Sequence, residues 1–475
     1  EVAGPGFCNV TFSQVFWRRV VQQVEKEGAA FGSSTIGGGR KTLVEYVSAN
    51  PTGPLHVGHG RGAAAGDSLA RILRRAGYDV TTEYYINDAG RQMRILGMSV
   101  WYRLRNLVGR TMAEPEDYYR GSYITDIAKE MLEKDPSLAD ASDEDGKGRC
   151  YEYAKNEILE GIKKDLRDFR VEHQNWFSEK TLVDGGLVDK AFQALKDAGY
   201  TYEKDGALWF ATSRLGDDKD RVLRKSDGSL TYFASDIAYH HNKFERGFDW
   251  LIDVWGADHH GYVPRMRAAI EAMGKGKKNF DVVLIQLVNL LINGQPVSMS
   301  TRAGTFETLA DVVREVGADA ARFMFLSRKT DSPVDFDLEA VKQRTMENPV
   351  YYVQYAHARV AALLRRAAGE GVTIPDVSDD AALAGLTLPD DMALLRKMAL
   401  YRNMLEQAAT TLSVHHVSHY LMELSQLLHS YYTKNQILKA GDPVTTGSRL
   451  ALLRAVSRVI ANGLDLMGVS APDHM

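Results

Sequence analysis

Val47-Ser-Ala-Asn-Pro-Thr-Gly-Pro-Leu-His-Val-Gly-His-Gly-Arg61 is the stretch on which the fold turns. An extended apolar run breaks at Pro51 and Pro54, and His56 and His59 follow at the opening of a helix. Beyond them Gly62-Ala-Ala-Ala-Gly66 is small enough for a helix to lie close against a sheet. Leu69, Ile72, Leu73 and Ala76 then recur at helical spacing, with Arg71, Arg74 and Arg75 turned away. A helix N-terminus attracts anions, and imidazoles placed there donate hydrogen bonds to phosphate oxygens. Gly58, Gly60 and Gly62 let backbone amides approach as well.

Working outward, residues 42–48 and 80–86 read as buried strands on either side of the 58–76 helix, a strand-helix-strand unit that implies a parallel sheet. From about Asp88 to Tyr200 the chain turns to long, charged helical segments with an acidic loop at 140–146, the pattern of an insertion. Strand character returns at 207–211, 230–233, 250–256 and 282–288, as expected where the second half of a doubly wound sheet resumes. After Glu347-Asn-Pro349 nearly everything to Met475 reads helical, and this tail forms a separate helix bundle. Its cations (Arg359, Arg365, Arg366, Arg396, Lys397, Arg402, Lys434, Lys439) lie among Tyr351, Tyr352, Tyr355, Tyr431 and Tyr432. Aromatics beside cations suit single-stranded RNA, although tyrosines among Leu and Ala on helices are more often core.

A chain of 475 residues implies two or three domains. A net charge of -4 requires any nucleic acid to be met by a local basic surface. Two cysteines, Cys8 and Cys150, make no disulfide framework, and no apolar run reaches the length of a membrane span, so the expectation is a cytoplasmic protein with no membrane partner. A His-x-x-His pair also fits half of a metal site, but no third ligand or His-Glu-x-x-His run stands near His56, so no metal site is expected. Nor is Gly37-Gly-Gly-Arg-Lys-Thr42 a P-loop, since Arg40 displaces a required glycine and the segment precedes a strand.

Three further segments carry polar chemistry. Asn293-Gly-Gln-Pro-Val-Ser-Met-Ser-Thr-Arg-Ala-Gly304 is a polar loop whose hydroxyls and Arg302 suit a polyphosphate. Trp255-Gly-Ala-Asp-His-His-Gly261 ends an apolar strand, where Gly256 and Asp258 suit a nucleotide. Tyr232-Phe-Ala-Ser-Asp236 enters a helix with Tyr232 and Asp236 four apart, on one face, able to grip a cation together.

Taken in order, these segments make the chain resemble the arginyl-tRNA synthetases, enzymes of class I. Ser48 to His59 matches that family's HIGH signature, and Ala3-Gly-Pro-Gly-Phe7, Tyr85-Ile-Asn-Asp-Ala-Gly90, Val254 to His259 and Glu347 to Arg359 extend the likeness over the whole chain. The resemblance implies a Rossmann-type parallel-sheet catalytic domain (1–345) with a helical insertion at about 92–200, then an all-α anticodon-binding bundle (346–475). It further implies ATP-dependent activation of L-arginine and transfer to the 3′-terminal adenosine of tRNA(Arg), with Mg2+ accompanying ATP, tRNA as a requirement for activation, and a monomer. His56 and His59 then stabilise the charge on the phosphates; Gly58, Gly256, Asp258, Ser298, Met299 and Ser300 hold ATP; and Glu45, Ser48, Asn50, Tyr232, Asp236 and His259 hold arginine. Asn87, Asp88 and Gln92 match further pocket motifs.

Two departures from the family stand out. Class I KMSKS loops use lysines to neutralise pyrophosphate, whereas Ser298-Met-Ser-Thr-Arg302 carries none, and Pro51-Thr-Gly-Pro-Leu55 supplies no substitute. Arg302, Arg61 or Lys41 then provides the charge. The family's appended N-terminal domain is also expected to be absent. The alternatives are an RNA-binding relative with impaired activation, or another class I-like ligase or nucleotidylyltransferase.

Overall fold

A computed structural model describes residues 10–296, 308–439 and 441–475, together with the backbone of 2–3 and 7–8. Five parallel strands form the main sheet: β1 (Lys41–Glu45), β2 (Asp79–Ile86), β3 (Asn175–Ser178), β4 (Trp250–Gly256) and β5 (Phe280–Ile285). Their spatial order, β5-β4-β1-β2-β3, reverses direction between β1 and β4. Ligands of such sheets bind outside the carboxyl ends of the strands at that reversal.

The signature helix, Val57–Arg75, crosses from β1 to β2. Its apolar stripe is buried as the spacing predicts, at Leu69, Ile72, Leu73 and the following Ala76. A Cβ at Gly66 would lie 2.2 Å from the ring of Tyr46, and one at Gly60 2.6 Å from Leu309, so these two glycines set the close approach. Gly62 faces open space and plays no such part.

Three strand readings need correction. The 207–211 stretch pairs in a separate antiparallel meander, Thr201–Lys204, Ala207–Phe210 and Arg221–Arg224, and not in the main sheet. Most of 230–233 is no strand: Thr231 caps a helix, its hydroxyl accepting from the Ala234 amide at 3.3 Å, and Tyr232 is the first helical residue. The 282–288 run breaks in two, β5 staying in the main sheet while Val288–Ile292 pairs with Val334–Asp337. Conversely, β3 lies inside the 92–200 stretch that reads as helical, where it forms the sheet's edge. Before it, the helices Arg91–Leu107, Ser122–Lys134 and Asp143–Asp168 pack on one another.

The C-terminal part is a bundle of Pro349–Gly369, Pro389–Ala399, Tyr401–Thr411, His415–Lys434 and Pro443–Leu466. The N-terminal helix Gln14–Glu27 packs on it, far from its neighbours in sequence. Buried Arg18 fixes that contact by donating to the Leu386 carbonyl at 2.8 and 3.0 Å. One apolar core runs continuously from the signature helix into the bundle, and a second lies under the helix Tyr232–Glu245.

Candidate active site

The signature helix begins with a reciprocal cap made by its two histidines. His56 Nδ1 accepts from the Gly58 and His59 amides at 3.1 and 3.4 Å, and His59 Nδ1 accepts from the His56 amide at 3.2 Å. A neutral imidazole that accepts at Nδ1 carries its proton on Nε2, so both rings are left with a donor for an incoming anion. The rings stack at 3.6 Å. Loss of hydration lowers both pKa values, and with the added effect of His56 it takes His59 down to about 3. The site therefore presents two N–H donors and a helix N-terminus without needing imidazolium charge.

Ahead of the helix the backbone is forced. Val47 and Ser48 take φ of 70° and 40°, left-handed values that cost a β-branched residue dearly. The turn carries Ser48 back under Glu45: its hydroxyl donates to Glu45 Oε1 at 2.8 Å and accepts from the Tyr85 amide at 3.1 Å. From the insertion, the Tyr123 hydroxyl donates to the Thr52 carbonyl at 2.6 Å. A Cβ at Gly53 would stand 2.9 Å from that hydroxyl, which is why a glycine occupies the loop there.

At the end of β4, a Cβ on Gly256 would lie 2.4 Å from Asp258 Oδ1. A side chain at 256 would push the exposed Asp258 carboxylate away from the strand end. Asp258 and His259 are largely open to solvent, with 3.6 Å between Oδ2 and Nε2. The 3-10 turn Ala257–Tyr262 then brings Tyr262 to Asp236, its hydroxyl donating to that carboxylate. Burial raises the Asp236 pKa more than the Tyr262 bond lowers it. Tyr232, one turn ahead of Asp236, is 74% exposed.

Glu45 is buried and accepts from Lys243 Nζ at 2.6 Å. Burial outweighs that ammonium, and its pKa lies above the ordinary glutamate value. Sequence reading missed Lys243 and Tyr262, which bond to Glu45 and Asp236, and Asp253 and Glu83, which flank Glu45 on the neighbouring strands. Asp88, by contrast, is spent on structure, accepting from Ser178 Oγ at 2.7 Å and the Lys180 amide at 3.2 Å. Asn50 and Asn87 are half-buried near the strand ends and Gln92 is exposed.

Of the cations expected to replace the missing lysines, two are excluded by position. Arg61 is fully buried, and its guanidinium donates to the Gln286 and Lys329 carbonyls at 2.8 Å each. Lys41 starts β1 and so lies at the amino edge of the sheet, opposite the cleft. Ser298, Met299, Ser300 and Arg302 lie outside the described residues. Thr308, the next described residue, bridges to His56, and the Leu309 amide donates to the Leu55 carbonyl at 2.7 Å.

Comparison with known proteins identifies the lineage. The family described as tRNA synthetases class I (R), catalytic domain, matches residues 21–362, and the DALR anticodon binding domain matches 353–475. The chain belongs to the arginine–tRNA ligase family. The arginine–tRNA ligase of Desulfovibrio desulfuricans is 69% identical over 475 residues, covering 100% of this chain and 86% of that protein. That of Nitratidesulfovibrio vulgaris is 65% identical with the same coverage. Among solved structures, a Campylobacter jejuni chain assigned as an arginyl-tRNA synthetase superposes with a TM-score of 0.89 at 36% identity, covering 98% of this chain and 100% of that one. The Thermus thermophilus arginyl-tRNA synthetase shares the fold, with a TM-score of 0.71 at 23% identity over 97% of this chain and 86% of that one. The catalytic-domain match spans all five strands of the main sheet, and the DALR match spans the C-terminal bundle from within its first helix onward.

Proposed function

We propose that the cleft outside β1 and β4 carries both steps of arginine–tRNA ligation, and that the histidine cap is its phosphate site. The arginine carboxylate attacks the α-phosphorus of ATP, an oxygen–phosphorus bond forms as pyrophosphate leaves, and arginyl-adenylate results. A hydroxyl of the tRNA's 3′-terminal adenosine then attacks the adenylate carbonyl and AMP departs. His56 and His59 donate Nε2–H to the phosphate oxygens, where charge builds in the transition state. The observation that carries this is the occupied Nδ1 of each ring, which leaves Nε2–H as the donor.

Gly58 keeps the helix start accessible, and Gly256 with Asp258 meets the nucleoside portion of ATP. Glu45, Asp236 and Tyr232 receive the cationic ends of arginine, with Ser48, Asn50 and His259 completing its surroundings. A guanidinium presents a fixed fork of donors, and a site built of carboxylates and hydroxyls for that fork leaves acceptors unpaired when lysine enters. Ser298, Met299, Ser300 and Arg302 are assigned to the polyphosphate on sequence alone, with Arg302 supplying the cation that the missing lysines would give. Mg2+ would enter with ATP, held chiefly by the substrate's own phosphates and water; among the described residues no cluster of three or more His, Cys, Asp or Glu side chains could hold a metal ion.

Transfer RNA would reach the bundle on residues 346–475. Tyr351 and Tyr355 stack at 5.8 Å on one helix face, Arg359 lies 3.7 Å over Tyr432, and all four suit unpaired bases and their phosphates. Tyr431 is removed from that set, being core with its hydroxyl on Asp391 at 2.8 Å. One chain carries both the catalytic and the anticodon-binding folds, which supports a monomer, and the cytoplasm is where tRNA, ATP and arginine meet. Among the described residues no helix is long and apolar enough to cross a membrane.

The test is arginine-dependent exchange of pyrophosphate into ATP, with and without tRNA(Arg), with lysine as control. Exchange with arginine once tRNA is present, and its loss in His56→Asn and Arg302→Ala, supports the assignments; unchanged exchange in Arg302→Ala removes that residue from the site. Exchange with no amino acid, in a folded protein, would restore the impaired RNA-binding alternative.

A further inference from the structure

Glu83, Glu45 and Asp253 stand in one row, because β2, β1 and β4 are neighbours and the register pairs Glu45 with Glu83 on one side and Asp253 on the other. Parallel carboxylates at matched positions repel, and all three are buried. The helix Tyr232–Glu245 and the residue after it answer them. Arg246 Nη2 and the Tyr239 hydroxyl donate to Glu83 Oε1 at 2.8 and 2.6 Å. Lys243, wholly buried, donates to both Glu45 Oε2 and Asp253 Oδ1, at 2.6 and 2.9 Å. His240 spans Asp253 Oδ2 at 2.8 Å and the Asp236 carbonyl at 2.7 Å. One unbroken chain of hydrogen bonds thus runs from Ser48 through Glu45, Lys243, Asp253 and His240 to the backbone carbonyl of Asp236, whose carboxylate is held by Tyr262.

We infer that Lys243 is a positioning residue for arginine: clamped between Glu45 and Asp253, it fixes the Glu45 carboxylate and, through Asp253 and His240, ties β1 and β4 to the helix that bears Asp236. The inference rests on the assignment of Glu45 and Asp236 to the substrate. The geometry gives the reason. Glu45 has one oxygen on Ser48 and the other on Lys243, so its carboxylate plane is determined before arginine arrives. A rigid fork of guanidinium donors binds well only to acceptors held at the right spacing. Without the ammonium, Glu45 and Asp253 face each other in the dry interior, and one of them takes up a proton or swings away. Either outcome blunts a grip on a cation while leaving the histidine cap and the nucleotide side untouched.

The experiment is steady-state aminoacylation by Lys243→Met, Glu45→Gln and the double variant, with KM for arginine, KM for ATP and kcat measured separately, and folding followed by circular dichroism and thermal melting. The expected result is a rise of tenfold or more in KM for arginine in Lys243→Met, with KM for ATP and kcat within about threefold. The double variant should be no worse than Glu45→Gln alone, since Lys243 acts through Glu45. Should Lys243→Met fail to fold, Lys243→Met/Asp253→Asn removes one charge of each sign and carries the same expectation. Glu45→Gln without effect on KM for arginine would overturn the placement of Glu45 itself. Glu45→Gln with a raised KM beside folded lysine variants of normal KM, or effects that simply add, would overturn the role of Lys243.

Discussion

Replacing His56 separates two roles that one side chain performs. Its Nδ1 caps the signature helix by accepting from the Gly58 and His59 amides, which leaves Nε2–H as the ring's donor. An N-cap is worth about 1 kcal/mol, and an oriented donor to developing charge about 10²–10³ in kcat. Alanine removes both functions. Asparagine, among the preferred caps, keeps the first and loses the second, since its short amide cannot both accept at the helix start and reach the phosphate. His56→Ala is therefore expected to lower the melting midpoint by roughly 1.5 °C for a catalytic domain of this size, whereas His56→Asn stays within about 0.5 °C of the parent. Both should lose about 10²–10³ in pyrophosphate exchange with little change in KM for arginine. The assay is exchange at saturating ATP, arginine and tRNA(Arg), alongside a melt of each variant. Exchange within about threefold of the parent in His56→Asn would refute the donor role, and an unchanged melt in His56→Ala would refute the cap.

Other perturbations probe the surroundings. Gly66→Ala drives a methyl to 2.2 Å from the Tyr46 ring and should destabilise by about 1–3 kcal/mol, read as a lowered midpoint of urea unfolding. Because burial raises the pKa of Glu45, it takes up its proton at a higher pH than a free glutamate; KM for arginine should accordingly climb on the acid side before an ordinary carboxylate would titrate, and Glu45→Gln should flatten that limb. His59, held at about 3, stays neutral from pH 5 to 8 in the free protein, so exchange should show no loss as pH rises through 6.5; a limb at that pH that His59→Asn removes would contradict the neutral-donor account. Arg322→Met leaves the buried Asp67 carboxylate with only the partly exposed Arg71 as ion partner and frees the Met467 and Phe169 carbonyls, an expected loss of about 1–3 kcal/mol visible in denaturant melts.

What could be read beforehand was local. The signature helix announces itself within thirty residues through histidines, small residues and a 3.6-residue stripe, and the bundle through long helical periodicity. Misreadings arose where local signals conflict. Leu230-Thr-Tyr-Phe233 has strand-like composition, but Thr231 is a good cap and the exposed Tyr232 has no sheet to join. Strand β3 is four half-buried residues placed after a charged helical stretch, too short to show alternation. Lys243 could not be read at all. Its ammonium is useful only because β1 and β4 are neighbours, and its partners stand 198 and 10 residues away. Arg61 erred in the opposite sense: a cation two residues past His59 suggests phosphate, yet on a helix it points to the far side and finds two carbonyls.

The strand order explains why motifs some two hundred residues apart belong to one reaction. Chain reversal between β1 and β4 sets Glu45 beside Asp253, and therefore the loop leading to His56 beside the turn leading from Gly256. Thr308 pairs with His56, and Leu309 is buried against Gly60, so the chain at 308–309 is anchored on the signature helix itself. A change at Leu309 should then act on the histidines without touching substrate. Leu309→Ala removes the packing that holds Thr308 against His56; a buried leucine truncation costs about 2–5 kcal/mol, of which part falls on this contact. Exchange should drop with KM for arginine unchanged, and Gly60→Ala, which presses on the same side chain from the other element, should do likewise. If either variant folds with normal exchange, the two segments are merely adjacent, and the phosphate site needs only the helix start.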